Sequence, residues 1–139
     1  MKSRIRPSGF TLIEVMVVVA ILGVLATLVM TNVIGKDEQA RITTTQASLK
    51  SVANALDLYK LDNHKYPTTD EGLNALVEKP ASAKTFPSGG YLPRLPEDSW
   101  GNPFQYVYPG SEGRRFDLYS YGADGAEGGE GNDADLYFR

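Results

Sequence analysis

One carboxylate, Glu14, stands near the start of an apolar run over residues 10–30 that follows a short basic leader ending at Gly9. A run of ~20 apolar residues is what a helix needs to cross a bilayer. A carboxylate inside such a run costs roughly 2.5–3.5 kcal/mol on insertion scales and is a functional suspect by default. Glu14 therefore needs a compensating partner, or a place near a membrane face where water or lipid headgroups neutralise it. Lys2, Arg4 and Arg6 precede the run with no acidic residue among them. The positive-inside rule then predicts a cytoplasmic amino terminus and an exported remainder. A cleavable secretory signal shares these features, and Val24-Leu25-Ala26 would serve as its cut site. The length of the run, the presence of Glu14 and the helical pattern that follows all count against a signal. Ala20, Gly23 and Ala26 lie three apart on one face, a spacing that lets helices approach closely in lipid.

Beyond the run, Ile42, Leu49 and Leu56 repeat at seven, as do Thr45, Val52 and Tyr59 beside them, giving one apolar stripe at helical spacing. No proline interrupts residues 10–66. A single helix over residues 10–61 is predicted, on the order of 75–80 Å long at 1.5 Å per residue. Its first half would stand in the membrane and its second half would pack on a head, with Asp62-Asn63-His64-Lys65-Tyr66-Pro67 as the stop. Residues 69–78 read as a short capped helix with Leu73, Leu76 and Val77 inward. Four prolines, at 87, 93, 96 and 103, then predict a loop with at most a brief extended piece. Residues 104–108 and 116–120 alternate around aromatics on either side of Pro109-Gly110-Ser111-Glu112-Gly113, the pattern of a hairpin. The expected class is α+β, with a small antiparallel sheet covering the second half of the long helix.

A chain of 139 residues leaves room for one modest head once the membrane segment is set aside. The formal net charge is −3, and loss of the three leader cations would make it −6. Such acidity argues against a nucleic-acid groove. With no cysteine, disulfide stapling and thiolate metal sites are excluded, and the single histidine, His64, leaves little for histidine-based catalysis. His64 reads as a surface or turn residue.

Residues 122–135 carry five glycines among Asp124, Glu127, Glu130, Asn132, Asp133 and Asp135. Hard oxygen ligands on so pliable a backbone suit calcium better than magnesium, although the spacing is not that of an EF-hand. Composition alone equally describes a solvated acidic tail.

Gly9-Phe10-Thr11-Leu12-Ile13-Glu14-Val15 resembles the processing and assembly motif of type IV pilins and type II secretion pseudopilins. Five further segments resemble the major pseudopilins of type II secretion systems, over nearly the whole chain. They are Tyr59-Lys60-Leu61-Asp62-Asn63, Tyr66-Pro67-Thr68-Thr69-Asp70-Glu71-Gly72-Leu73, Leu92-Pro93, Asp98-Ser99-Trp100-Gly101-Asn102-Pro103-Phe104 and Phe116-Asp117-Leu118-Tyr119-Ser120-Tyr121-Gly122-Ala123-Asp124-Gly125. Two positions depart from the family: Thr31 stands where a proline is frequent, and the chain closes on Asp135-Leu136-Tyr137-Phe138-Arg139 in place of a tryptophan-containing end.

The resemblance implies a pilin-like fold with residues 1–9 as leader, 10–34 as transmembrane helix and membrane exit, and 35–139 as a periplasmic head with a C-terminal calcium loop. It implies cleavage by a prepilin peptidase after Gly9, N-methylation of Phe10, and an assembly role for Glu14. It also implies calcium held by Asp124, Asp133 and Asp135, with Tyr121 as a carbonyl donor. The expected protein is a non-enzymatic subunit of a homo-oligomeric filament that drives export of folded proteins from the bacterial inner membrane. Its expected partners are minor pseudopilins, the peptidase and an inner-membrane assembly platform, with no nucleic acid. The alternatives are a type IV pilin for adhesion, motility or DNA uptake, and a binding module tethered by one membrane helix.

Overall fold

The computed structural model describes residues 9–139, apart from the side chains of residues 29–34. Residues 1–8 of the expected leader, with Lys2, Arg4 and Arg6, lie outside the described residues, as does the side chain of Thr31. The chain divides into two compact units, Met1–Asp37 and Glu38–Arg139. One helix, α1 (Leu12–Asn63), contributes to both, in agreement with the proline-free pattern.

In the first unit α1 opens on a capping box. The Thr11 amide donates to Glu14 Oε2 at 2.8 Å, and the Glu14 amide returns to Thr11 Oγ1 at 3.4 Å. This arrangement satisfies two donors that a helix start leaves unpaired. Leu12, Ile13, Val17, Leu22 and Leu28 are exposed. Among the described residues no helix is long and apolar enough to cross a membrane. The expected span over residues 10–30 runs on into side chains outside the described set.

In the second unit the seven-residue stripe is the core face of α1: Thr45, Leu49, Val52, Leu56 and Tyr59 are all buried. The helix ends where His64 turns left-handed, with φ 62°, and its amide still reaches the Lys60 carbonyl at 2.7 Å. His64 is exposed, as a turn residue should be. Its neighbour Asn63 is buried, donating to the Tyr59 and Thr85 carbonyls and accepting from the Thr85 amide. That side chain pins the loop over residues 80–91 to the helix end.

The helix expected at residues 69–78 contracts to a 3-10 turn, Leu73–Leu76. Thr68 and Glu71 do form a capping box, with bonds of 2.9 and 3.2 Å. Gly72, however, leaves the helical region at φ 58°, a conformation that costs glycine little. The Leu76 carbonyl is then taken by the amides of Tyr91 and Leu92, at 2.8 and 3.1 Å. In an α-helix that carbonyl would look to residue 80, a proline with no N–H to give, and the two loop amides take its place.

The hairpin is present as β1 (Gln105–Val107) and β2 (Asp117–Ser120), and a third strand, β3 (Leu136–Tyr137), pairs on the far side of β2. All pairings are antiparallel, with Tyr106 opposite Leu118 and Ser120 opposite Leu136. Period-two alternation buries Tyr106, Leu118 and Ser120 toward α1 and turns Val107 and Tyr137 outward. The brief extended piece expected in the proline-rich stretch is a bridge between Glu97 and Pro103. The closing residues form β3: the Phe138 amide donates to the Leu118 carbonyl at 2.8 Å, and its ring stacks on Phe116.

Candidate functional site

Two places carry the expected chemistry, one in each unit. In the first, the carboxylate of Glu14 accepts from both the amide and the hydroxyl of Thr11, at 2.8 and 3.1 Å. Position 14 is three residues into the helix, where an acid favours both the open amides and the positive end of the helix dipole. Within one subunit, then, Glu14 is a cap, and among the described residues its charge has hydrogen bonds and no cation. The threonine that holds it was legible as a Thr-x-x-Glu spacing, yet the apolar context drew attention to the glutamate alone. Gly9 and Phe10 are exposed directly before the cap.

The second place is the acidic loop. It leaves β2 at Gly122, whose φ is 74° and whose added Cβ would lie 2.8 Å from the Ala134 carbonyl oxygen. Only glycine fits that crossing. The two arms of the loop are tied twice, by the Ala123 amide to the Asn132 carbonyl at 3.0 Å and by the Asp135 amide to the Gly128 carbonyl at 3.2 Å. Asp124 Oδ1 accepts the Ala126 amide at 3.0 Å, an Asx-turn within the loop. Asp135 Oδ2 accepts the Gly128 amide at 3.1 Å. Its other oxygen, Oδ1, is buried and accepts no hydrogen bond of ordinary geometry, although the carboxylate, after burial, helps to raise the neighbouring Tyr137 hydroxyl.

These bonds make the segment a folded loop. The structure brings its two arms together without gathering Asp124, Asp133 and Asp135 into one cluster. Among the described residues no three His, Asp or Glu side chains stand close enough to hold a metal ion by themselves. Asp124 and Asp133 are exposed and Asp135 is half-buried, while the Tyr121 ring packs edge-on against Tyr119 at 5.4 Å. In kind the donors fit calcium, since all are hard oxygens. In place, the buried and unpartnered Asp135 Oδ1 is the atom that fits.

A set of residues outside the loop controls its root, and composition did not single it out. Asp98, buried in the head, accepts the Asn102 amide at 2.8 Å and the Ser120 hydroxyl at 2.6 Å. Asn102 Nδ2 in turn donates to the Gly122 carbonyl at 3.0 Å. The available signal was the Asp-x-x-Gly turn at residues 98–101, which says nothing of where its side chains reach.

Comparison with known proteins also divides the chain in two, a few residues before the boundary between the units. Residues 4–30 match the family model for the prokaryotic N-terminal methylation motif, and residues 32–138 match that for type II secretion system (T2SS), protein G. Type II secretion system core protein G of Pseudomonas aeruginosa is 55% identical over 136 residues, covering 96% of this chain and 95% of that protein. The protein of the same name from Vibrio cholerae is 51% identical over 138 residues, covering 98% of this chain and 94% of its own. The crystal structure of the major pseudopilin from the type 2 secretion system of enterohaemorrhagic Escherichia coli superimposes with a TM-score of 0.66 at 36% identity, over 76% of this chain and 92% of that one. The long capped helix, the three-stranded head and these likenesses agree, and the chain belongs to the type II secretion system protein G family of pseudopilins.

Proposed function

We propose that the chain is a structural subunit of the type II secretion pseudopilus, made as an inner-membrane precursor and polymerised into a helical filament that drives folded proteins across the outer membrane. The observation that carries this reading is the succession of a methylation motif over residues 4–30 and a protein G head over residues 32–138 in one chain. The family is a structural one, so the work of this chain is assembly, with no reaction assigned to any of its residues. A prepilin peptidase cuts after Gly9 and the new Phe10 amine is methylated. The helix passes the inner membrane once, with its amino terminus cytoplasmic and the head periplasmic. Copies of the same chain, minor pseudopilins and an inner-membrane assembly platform are its partners.

Glu14 takes its counter-charge in the filament, from the free amine of Phe10 on a neighbouring subunit. Calcium is bound by Asp124, Asp133 and Asp135 with the Tyr121 carbonyl; the buried, unpartnered oxygen of Asp135 supports this reading. When bound, the ion supplies the positive charge that lets these carboxylates approach one another.

The deciding experiment deletes the gene and compares the culture supernatant with that of the parent by mass spectrometry. A set of proteins should vanish from the medium, accumulate in the periplasm and return on complementation. An unchanged supernatant with lost attachment, motility or DNA uptake would instead indicate a type IV pilin.

A further inference from the structure

We propose that Asn102, backed by Asp98 and Ser120, positions the root of the acidic loop for cation binding, a role that rests on the calcium reading above. Asp98 is 6% exposed and uses both carboxylate oxygens. Oδ1 accepts the amides of Trp100 and Asn102 at 3.0 and 2.8 Å, and Oδ2 accepts the Ser120 hydroxyl at 2.6 Å. Ser120, fully buried, passes the constraint on by accepting the Gly122 amide at 3.1 Å. Asn102, held by its own amide, passes it on through Nδ2 to the Gly122 carbonyl at 3.0 Å. Both backbone polar groups of Gly122 are thus held by side chains that hang from one carboxylate.

Gly122 is where the outgoing arm presses on the returning one, its absent Cβ being 2.8 Å from the Ala134 oxygen and 3.0 Å from that of Asn132. Fixing its peptide therefore fixes the spacing of the arms that carry Asp124 and Asp133. Asn102 Oδ1 also sits beneath Gly125, 3.2 Å from the position of a Cβ there, so the strut meets the outgoing arm twice. On the other side, Ser99 clamps the same turn to α1. Its amide donates to Thr45 Oγ1 at 3.1 Å, its hydroxyl to the Arg41 carbonyl at 2.9 Å, and its carbonyl accepts from Arg41 Nη1 at 2.8 Å. The loop is consequently registered to the helix as well as to the sheet edge. The strut limits the shapes the loop can sample, and a freed loop would bind in proportion to the fraction still competent.

The test uses the full processed chain in detergent, titrated calorimetrically with calcium chloride, together with hydrogen exchange at Gly122 and Ala123 in chelator. Asn102→Ala removes the strut without touching any proposed ligand. It should weaken calcium binding about fivefold to tenfold, the worth of one buried hydrogen bond. It should also speed exchange at both amides in the metal-free protein, and it should lower the chelated melting temperature slightly for the lost bond, so that the change in affinity is the deciding readout. Thr45→Val, which cuts the clamp on α1 while keeping shape, should weaken binding in the same direction. A merely structural role would lower the melting temperature and leave affinity alone. Wild type that binds calcium beside an Asn102→Ala variant that binds equally well overturns the positioning role and leaves the calcium reading standing. Wild type that takes up no calcium overturns both, while exchange at Gly122 still reports whether Asn102 orders the loop.

Discussion

Arg115 Nη1 lies 3.0 and 2.9 Å from the two carboxylate oxygens of Asp57 and so joins the start of β2 to α1. Asp57 Oδ1 also accepts the Tyr66 hydroxyl at 2.7 Å. The Arg115 guanidinium lies over the rings of Phe116 and Phe138, at 5.0 and 5.7 Å. One side chain therefore links the helix, the hairpin and the closing residues.

Both members of that ion pair are partly exposed, at 48% and 39%, so the pair alone contributes only about 0.5 kcal/mol. The ring contacts add about 0.5–1 kcal/mol. Arg115→Ala should accordingly lower the melting temperature by roughly 4–8 °C per kcal/mol lost, the scale for a domain of this size. Asp57→Asn, which keeps an acceptor for Tyr66, should cost less. In 1 M salt the Asp57→Asn loss should shrink, because screening has already weakened the pair. Thermal melts of both variants at low and high salt check this, and equal losses from the two would refute the ring contribution.

At Glu14 the helix cap and the charge can be separated. Glutamine at the third helical position still completes a capping box, so Glu14→Gln should keep the bond to Thr11 while losing the charge. Glu14→Ala loses both. If the charge docks on a neighbour's Phe10 amine, neither variant should form filaments, and both should still be cleaved after Gly9. Filaments from Glu14→Gln at the wild-type level would mean that the cap, and not the charge, is what assembly requires. Electron microscopy of sheared filaments and mass spectrometry of the membrane fraction read the two outcomes.

Tyrosines give the head an alkaline limit. Burial raises Tyr106, whose hydroxyl donates to the Pro67 carbonyl at 2.8 Å. Burial, followed by the Asp62 carboxylate, pushes Tyr91 up to about 12. A group raised in the folded state keeps its proton after the unfolded chain has lost it. The unfolded state then binds fewer protons, and stability falls with rising pH. Stability should be level with respect to these groups below pH ~10, the ordinary tyrosine value, and decline between there and about 12. Tyr106→Phe should flatten that decline while costing about 1 kcal/mol at neutral pH for the lost bond. Denaturant titrations at several pH values measure both.

The parts of this fold that were legible in the sequence are those set by local period. Thr45, Val52 and Tyr59 recur at helical spacing because one face of α1 is buried along its second half, and the alternation in Phe104 to Tyr108 and Phe116 to Ser120 marks a half-buried hairpin. β3 was not legible, since a two-residue strand has no period and is held by Tyr119 and Ser120, with Phe138 beyond it held by Leu118 and Phe116, all far away in sequence. The helix expected after Thr69 is cut to one turn because Gly72 takes a left-handed φ of 58°, and Tyr91 and Leu92, which cap its Leu76 carbonyl, are partners that no local pattern announces. At the loop, composition identified the acidic residues and left open whether they fold. The bonds that hold its root come from Ser120 and Asn102, neither of which bears a charge.

The remaining prediction concerns calcium. Asp124, Asp133 and Asp135 lie in one loop with Glu127 and Glu130, and carboxylates brought together repel one another without a cation. No disulfide can restrain the segment, because the chain has no cysteine. An ion bound only by the folded state adds stability by mass action, about 2.7 kcal/mol at a hundred times its dissociation constant. Excess calcium should therefore raise the melting temperature of the full chain in detergent, and chelator should lower it. The effect should concentrate at the carboxy-terminal end, since the Asp135 amide bond to Gly128 and the pairing of Leu136 with Ser120 follow directly on the loop. Asp135→Asn should weaken the calcium response although it keeps an oxygen at that place, because Oδ1 of Asp135 is the buried oxygen without a hydrogen bond. Asp124→Ala and Asp133→Ala should behave as the chelated wild type does and reduce secretion. Cleavage after Gly9 should be unaffected in all three, since it depends on the other end of the chain. A wild-type melting temperature indifferent to calcium would refute the site and leave the loop held by its own hydrogen bonds.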